Sequence, residues 1–215
     1  MRVTWIELVN FLVVLILSTA FHEAAHAWLA DRFGDDTPRR HGRLTLNPFP
    51  HLDPVMSVLV PGFLYAVSGG FVAAAWTPVN PWAMRDPRWH PVWTALGGPA
   101  ANLVLGVAAM LALGVALAFG FAEAERIALL FVRVNVFLGV FNLIPVPPLD
   151  GANFVHAILP ARWQPGFWEL RRYGFIMLLA LWYSGALDRT VFPLMDAAGR
   201  EAVRASHAIG RMLGG

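Results

Sequence analysis

Apolar residues run almost without a break over residues 5–30, and three ionisable side chains, His22, Glu23 and His26, stand inside that run. A helix of this length and character reaches the roughly 20 residues that crossing a bilayer requires. Its start is not strongly basic and it continues past any cleavage point into the polar cluster, which points to a retained membrane helix over a cleaved leader. The remainder of the chain agrees, since 57% of the residues are apolar, 14% are charged and the mean hydropathy is +0.56. That is far more apolar surface than a soluble domain needs to hide, so lipid is the expected solvent.

Polar punctuation divides the chain into a first helix over 5–31, a polar loop to 54, and an apolar stretch at 55–76. A loop over 77–92, a helix over 93–121 and another over 126–144 follow. Pro145, Pro147 and Pro148 then break regular helix, because proline lacks a donor and clashes with the preceding turn. Helix is expected to resume at 151–159, so the third core element is counted as 126–158. A last apolar helix lies over 173–187, and the tail, 188–215, reads as an amphipathic helix at the interface. The expected fold class is an all-α polytopic membrane protein: a three-helix core (5–31, 93–121, 126–158) plus a C-terminal span, with possible short strands in 35–54. Residues 1–187 form one membrane-embedded domain in this reading. Pro61, Gly62, Gly69 and Gly70 mark 55–76 as re-entrant or interfacial.

The net charge is +2, and the 16 basic residues, all arginine, are scattered between apolar runs without forming one basic face. No nucleic-acid partner is expected. The absence of cysteine removes disulfides, thiolate ligands and a cysteine nucleophile together, so a metal would have to sit on histidine and carboxylate.

Two histidines four residues apart lie on one face of a helix, so the imidazoles of His22 and His26 can reach one ion while Glu23 contacts a water on it. Burying three such side chains in an apolar helix is costly, which makes the cluster a functional site by default. A catalytic zinc takes three protein ligands and keeps a fourth position open. The best third ligand is Asp150, which follows the proline break in Asn142-Leu143-Ile144-Pro145-Val146-Pro147-Pro148-Leu149-Asp150-Gly151, although an ordinary Asp-Gly turn explains the dipeptide equally well. His41, His51, His90 and His156 lack a partner four residues away. Of these, His51 in Asn47-Pro48-Phe49-Pro50-His51 is the one that could fold back toward a metal, with turn chemistry as the competing account. Asn142 could polarise a substrate carbonyl or hold a backbone. Asn102, after Gly97-Gly98-Pro99, reads as helix packing, and Arg133 and Asn135 as snorkelling or internal pairing.

His22 to His26, Gly97 to Asn102 and Asn142 to Gly151, in this order, resemble the site-2 protease family of intramembrane metalloproteases. Gly42 to Pro48, His51 to Pro54 and Thr77 to Pro81 look like its compact bacterial subgroup without added regulatory domains. The resemblance implies one zinc ion held by His22, His26 and Asp150, and Glu23 as general base and acid. It also implies cleavage of a peptide bond within or near the transmembrane segment of a membrane-protein substrate. From the residues themselves, Asn142, Asn47 and His51 are the candidate substrate-binding or stabilising residues, Asn47 in a loop expected to offer strand edges to an unwound substrate. The chain departs from the subgroup's usual lysine just before the segment near 78, carrying Ala75-Trp76-Thr77 there.

The histidine pair ends its helix and Asp150 follows its own, so the two helices must run parallel to meet at one depth, and an odd number of crossings must separate them. Residues 55–76 are therefore not expected to form a single complete crossing. With the N-terminus outside, loops 31–92 and 159–172 face the cytoplasm and carry Arg32, Arg39, Arg40, Arg43, Arg85, Arg88, Arg162, Arg171 and Arg172. The site then lies toward the cytoplasmic side of what is expected to be a bacterial plasma membrane. The competing readings are a membrane metal-binding or transport protein and a catalytically silent scaffold of the same fold.

Overall fold

A computed structural model describes residues 3–68, 77–185, 189 and 191–214. Its frame is three long helices: α1 (Trp5–Phe33), α4 (His90–Phe119) and α5 (Ala122–Phe141). Two shorter ones, α2 (Thr37–Arg40) and α3 (Val60–Ser68), lie between α1 and α4. The chain ends in α6 (Ala152–Ile158), α7 (Gln164–Glu169), α8 (Gly174–Tyr183) and α9 (Val191–Gly214).

Both ends of α1 are closed by local chemistry. Thr4 accepts from Glu7 N while the Glu7 carboxylate accepts from Thr4 N, a reciprocal cap. At the other end Gly34 takes φ 108°, a left-handed conformation open to glycine, and its N–H bonds back into the last turn. α1 and α4 are long and apolar enough to cross a bilayer. A two-residue turn through left-handed Gly120 folds α5 back against α4.

Contacts fix the relative directions. Along α1, Ser18, His22 and His26 meet Asn102, Gly98 and Thr94 of α4 in falling order, so these helices are antiparallel. Gly106 and Pro99 of α4 meet Asn135 and Gly139 of α5, again antiparallel. α1 and α5 therefore run parallel, as the shared depth of the histidines and Asp150 demands. Between them Phe11, Val14 and Leu15 bury against Val134, Phe137, Leu138, Phe141 and Leu149. Leu149 belongs to this cluster, so the apolar core itself anchors the residue next to Asp150. Pro99 sits inside α4, its carbonyl toward Gly139 of α5.

No strand occurs among the described residues, which corrects the short strands expected in 35–54. That segment holds α2, successive turns and one 3-10 turn, Phe49–His51. Pro38, Gly42, Pro48 and Pro50 bend the chain every few residues, so no run is long enough to form a ladder. The stretch after it begins as a π-helical segment, Pro54–Leu59, and continues as α3. Residues 69–76 lie outside the described ones, and with them the question of a complete crossing.

α8 occupies the place of the expected last apolar helix and is ten residues long as described. α9 packs on the later half of α4. Ser206 is fully buried and donates to Met110 O at 3.0 Å, and a Cβ on Gly114 would meet Ile209 at 2.7 Å. Small residues let the two backbones approach this closely.

Candidate active site

Helical spacing sets His22 and His26 one turn apart on the buried face of α1, their rings 4.6 Å apart and edge to face. Asp150 Oδ2 lies 3.0 Å from His22 Nε2 and 3.3 Å from His26 Nε2, so both imidazoles present the same nitrogen to one carboxylate oxygen. A carboxylate oxygen of Glu23 lies within 4.8 Å of ligand atoms of the two histidines. All three α1 side chains are buried.

The other ring nitrogens are tied down. His22 Nδ1–H donates to Asn102 Oδ1 at 2.5 Å, and His26 Nδ1–H donates to Thr94 O at 2.7 Å. The orientation of the Asn102 amide follows from its own partners, because Nδ2 donates to Asn135 Oδ1 at 2.9 Å and to Ser18 O at 3.3 Å. Asn135 Nδ2 in turn donates to Ser18 Oγ and Phe131 O, both at 2.9 Å. Asn102 and Asn135 are completely buried, so this relay across three helices is sealed from solvent and its hydrogen bonds are fully formed.

Gly98 faces the same spot from α4. A Cβ there would fall on both imidazole rings, so the absence of a side chain is what lets the rings lie against that helix. Opposite, the loop that carries Asp150 is pinned at its base by Gly151 N, which donates to Asn142 O at 2.7 Å. Gly151 is packed onto the carbonyls of Leu143 and Ile144, leaving no room for a side chain.

These residues fit a divalent metal. Two imidazole Nε2 atoms and one carboxylate oxygen converge, each imidazole donates its other N–H to an oxygen, and α4 leaves a cradle where a Cβ would sit. That is the donor set and outer support typical of a catalytic zinc site. Beside it opens a cavity of about 330 Å³ lined by Glu23, His26 and Asp150 and walled by Trp82, Pro91, Thr94 and Trp168. A hollow of about 440 Å³ lined by Arg32, Phe33, Arg85 and His90 shares none of these residues and holds no carboxylate.

Three other expected site residues stay apart from this cavity. Asn142 Nδ2 donates back to Leu138 O, capping α5. Asn47 Oδ1 accepts from Phe49 N in a local turn. His51 is buried, with Nε2 at 3.0 Å from Thr45 O in the same loop. The histidine-orienting amide is instead Asn102, which sequence reasoning assigns to packing. Its signal was a lone amide in an apolar helix, three residues after a Gly-Gly-Pro.

Residues 119–182, which include Asp150, match the model of "Peptidase family M50". YwhC of Bacillus subtilis, which is named as a zinc metalloprotease, is 34% identical over 206 residues, covering 92% of this chain and 91% of its own. Rip2 of Mycolicibacterium smegmatis, similarly named, is 35% identical over 186 residues, covering 84% of this chain and 69% of its own. Rip2 of Mycobacterium tuberculosis is 30% identical over 192 residues, with 86% and 72% covered. No solved structure matches the chain.

Proposed function

The chain belongs to peptidase family M50, the zinc metalloproteases of the site-2 class, and from that membership we propose that it hydrolyses a peptide bond within or near the transmembrane segment of a membrane-protein substrate. The observation that carries this reading is the convergence of His22 Nε2 and His26 Nε2 on Asp150 Oδ2, with Glu23 beside them at the wall of a cavity.

His22, His26 and Asp150 are the residues that would hold zinc, which supplies Lewis acidity toward the scissile carbonyl and acidifies the attacking water. Glu23 takes the proton of that water on a carboxylate oxygen and delivers a proton to the leaving amine nitrogen as the C–N bond breaks. Asn102 and the Thr94 carbonyl hold the two imidazoles in the tautomer that frees Nε2. Pro91 and Trp168 supply apolar wall beside the reacting groups. A helical substrate satisfies its own backbone, so it must unwind locally before a carbonyl can enter.

The chain lies in the membrane with its N-terminus outside and the site toward the cytoplasm. Loops 31–92 and 159–172 then carry nine arginines on the inner face, in keeping with the bias of basic residues toward that side. Because the chain has no cysteine, single cysteines at positions 40 and 85 report sidedness cleanly, and labelling from opposite faces would overturn this topology. The activity itself is tested by metal analysis together with cleavage of a model transmembrane substrate by wild type and Glu23→Gln. Metal in both proteins with cleavage only by wild type supports the protease; equal cleavage refutes the role of Glu23.

A further inference from the structure

Arg171 lines the same cavity as Glu23, His26 and Asp150. It stands in the 3-10 turn Leu170–Tyr173, far from the metal-binding residues of α1 in sequence, and nothing in the mechanism above uses it. Its guanidinium carbon lies 4.5 Å from the ring centroid of Trp168, another wall residue, so the cation sits over an aromatic face. That attraction holds the group in place without using up its N–H donors. Trp168 is steadied from a second direction by His156, at 4.6 Å between ring centroids.

Arg171 has no anion of its own and shares a cavity wall with Glu23, His26 and Asp150. Arg39 pairs with Asp31, Arg40 with Asp36, Arg126 with Glu123, Arg172 with Glu169 and Arg204 with Glu201. Among the described residues the Arg171 side chain forms no hydrogen bond or ion pair, and the carboxylate it shares the cavity with, Asp150, is already engaged by two imidazoles. The rest of the wall combines Val79, Pro81, Trp82, Pro91, Ala95 and Pro148 with the neutral polar residues Thr77, Thr94 and Asn153.

Charge bookkeeping leads to the same place. A divalent ion on neutral imidazoles would be offset by Asp150 and Glu23, which leaves the guanidinium as one uncompensated positive charge on the wall of a cavity that mixes polar and apolar groups. Such a hollow favours an occupant that brings one negative charge and can accept two parallel N–H bonds, which describes a carboxylate. We propose that Arg171 is a specificity-determining residue that receives an acidic side chain, Asp or Glu, lying within a few residues of the bond to be cleaved. This rests on the protease reading above and adds to it the chemical class of substrate.

The test uses the full-length, zinc-loaded chain in detergent and a set of fusion proteins, each with one model transmembrane helix. Single Glu, Gln or Lys residues are placed at successive positions on either side of the cleaved bond, which mass spectrometry locates. At one position Glu should raise kcat/KM over Gln by about tenfold, the scale of one charge-assisted pair. Arg171→Gln should abolish that preference while keeping its zinc, Arg171→Lys should retain part of it, and Arg171→Glu should turn it toward Lys. Binding of fluorescein-labelled peptides to the Glu23→Gln protein, read by anisotropy, should show the same preferences without turnover.

Equal handling of Glu and Gln by wild type overturns the proposal, as does an Arg171→Gln loss shared equally by every substrate. So does tight binding governed by a free C-terminal carboxylate alone, which would make Arg171 a reader of the product end. If wild type binds zinc and cleaves nothing while Glu-bearing peptides still bind preferentially, the protease reading fails and the carboxylate site stands; if neither occurs, both fail.

Discussion

Asn102 of α4 accepts a hydrogen bond from His22 Nδ1–H of α1 across 2.5 Å, in a place with no access to solvent. The bond decides which nitrogen of His22 is free, and Asn135 and Ser18 decide which way the Asn102 amide points. The choice of free nitrogen on His22 is thus set from α4 and α5.

Replacing Asn102 by Ala leaves His22 Nδ1–H without its acceptor and takes a donor from Asn135 Oδ1 and Ser18 O. Zinc affinity, measured by competition with a chromophoric chelator, is expected to fall about 10- to 100-fold, the usual cost of losing a partner behind a metal-bound histidine. Asn135→Ala, one bond further out, should weaken binding less. Unchanged affinity in Asn102→Ala would reduce the amide to a packing element.

Gly98→Ala places a methyl group on the two imidazole rings. Its zinc content after purification should drop to near background, with helicity by circular dichroism retained. Gly106→Ala on the same helix, where a Cβ would meet Asn135 at an ordinary 3.7 Å, is the matched control and should bind zinc normally.

Asp35, fully buried just after α1, accepts from Thr37 N at 3.0 Å and from Asn80 N at 2.6 Å. It thereby fastens the segment that brings Thr77, Val79 and Trp82 to the cavity wall. Asp35→Ala strands two backbone donors, a loss of about 1–3 kcal/mol for a buried group. Thermal melts should shift downward and cleavage should fall, whereas zinc affinity should stay level because no ligand is touched.

Gly114→Leu should lift α9 from α4, since that position has no space between the helix and Ile209. Limited proteolysis is the readout, with cleavage sites within 191–214 becoming accessible while the three long helices remain protected. A tail equally resistant in both proteins would mean that the contact contributes little.

The histidine pair and Glu23 were legible because their relation is local: four residues along a helix is one turn, whatever surrounds it. Asp150 was legible as a carboxylate behind a proline break, and the parallel course of α1 and α5 follows from requiring it to meet the histidines. Asn102 and Asn135 were legible as amides able to pair between helices but not as the support of His22, because an amide in an apolar helix has the same sequence pattern whether it bonds a neighbouring backbone or a ligand. Asn47 and His51 show the opposite difficulty. Their dense polar segment satisfies itself through Phe49 N and Thr45 O, and that local closure keeps it from reaching the site. The packing of α9 was invisible for another reason, since an amphipathic stripe seeks an apolar surface and fits a lipid interface as well as the flank of α4.

Pro99 has no N–H, so the carbonyl of Ala95, one turn earlier in α4, lacks its regular helical donor. Its neighbour, the Thr94 carbonyl, accepts from His26, and both residues border the cavity. The spine of α4 is therefore left with spare accepting capacity beside His26 and Asp150. On the proposed reading, an unwound substrate arrives with amide hydrogens newly deprived of their own carbonyls, and here it finds one deprived of its amide.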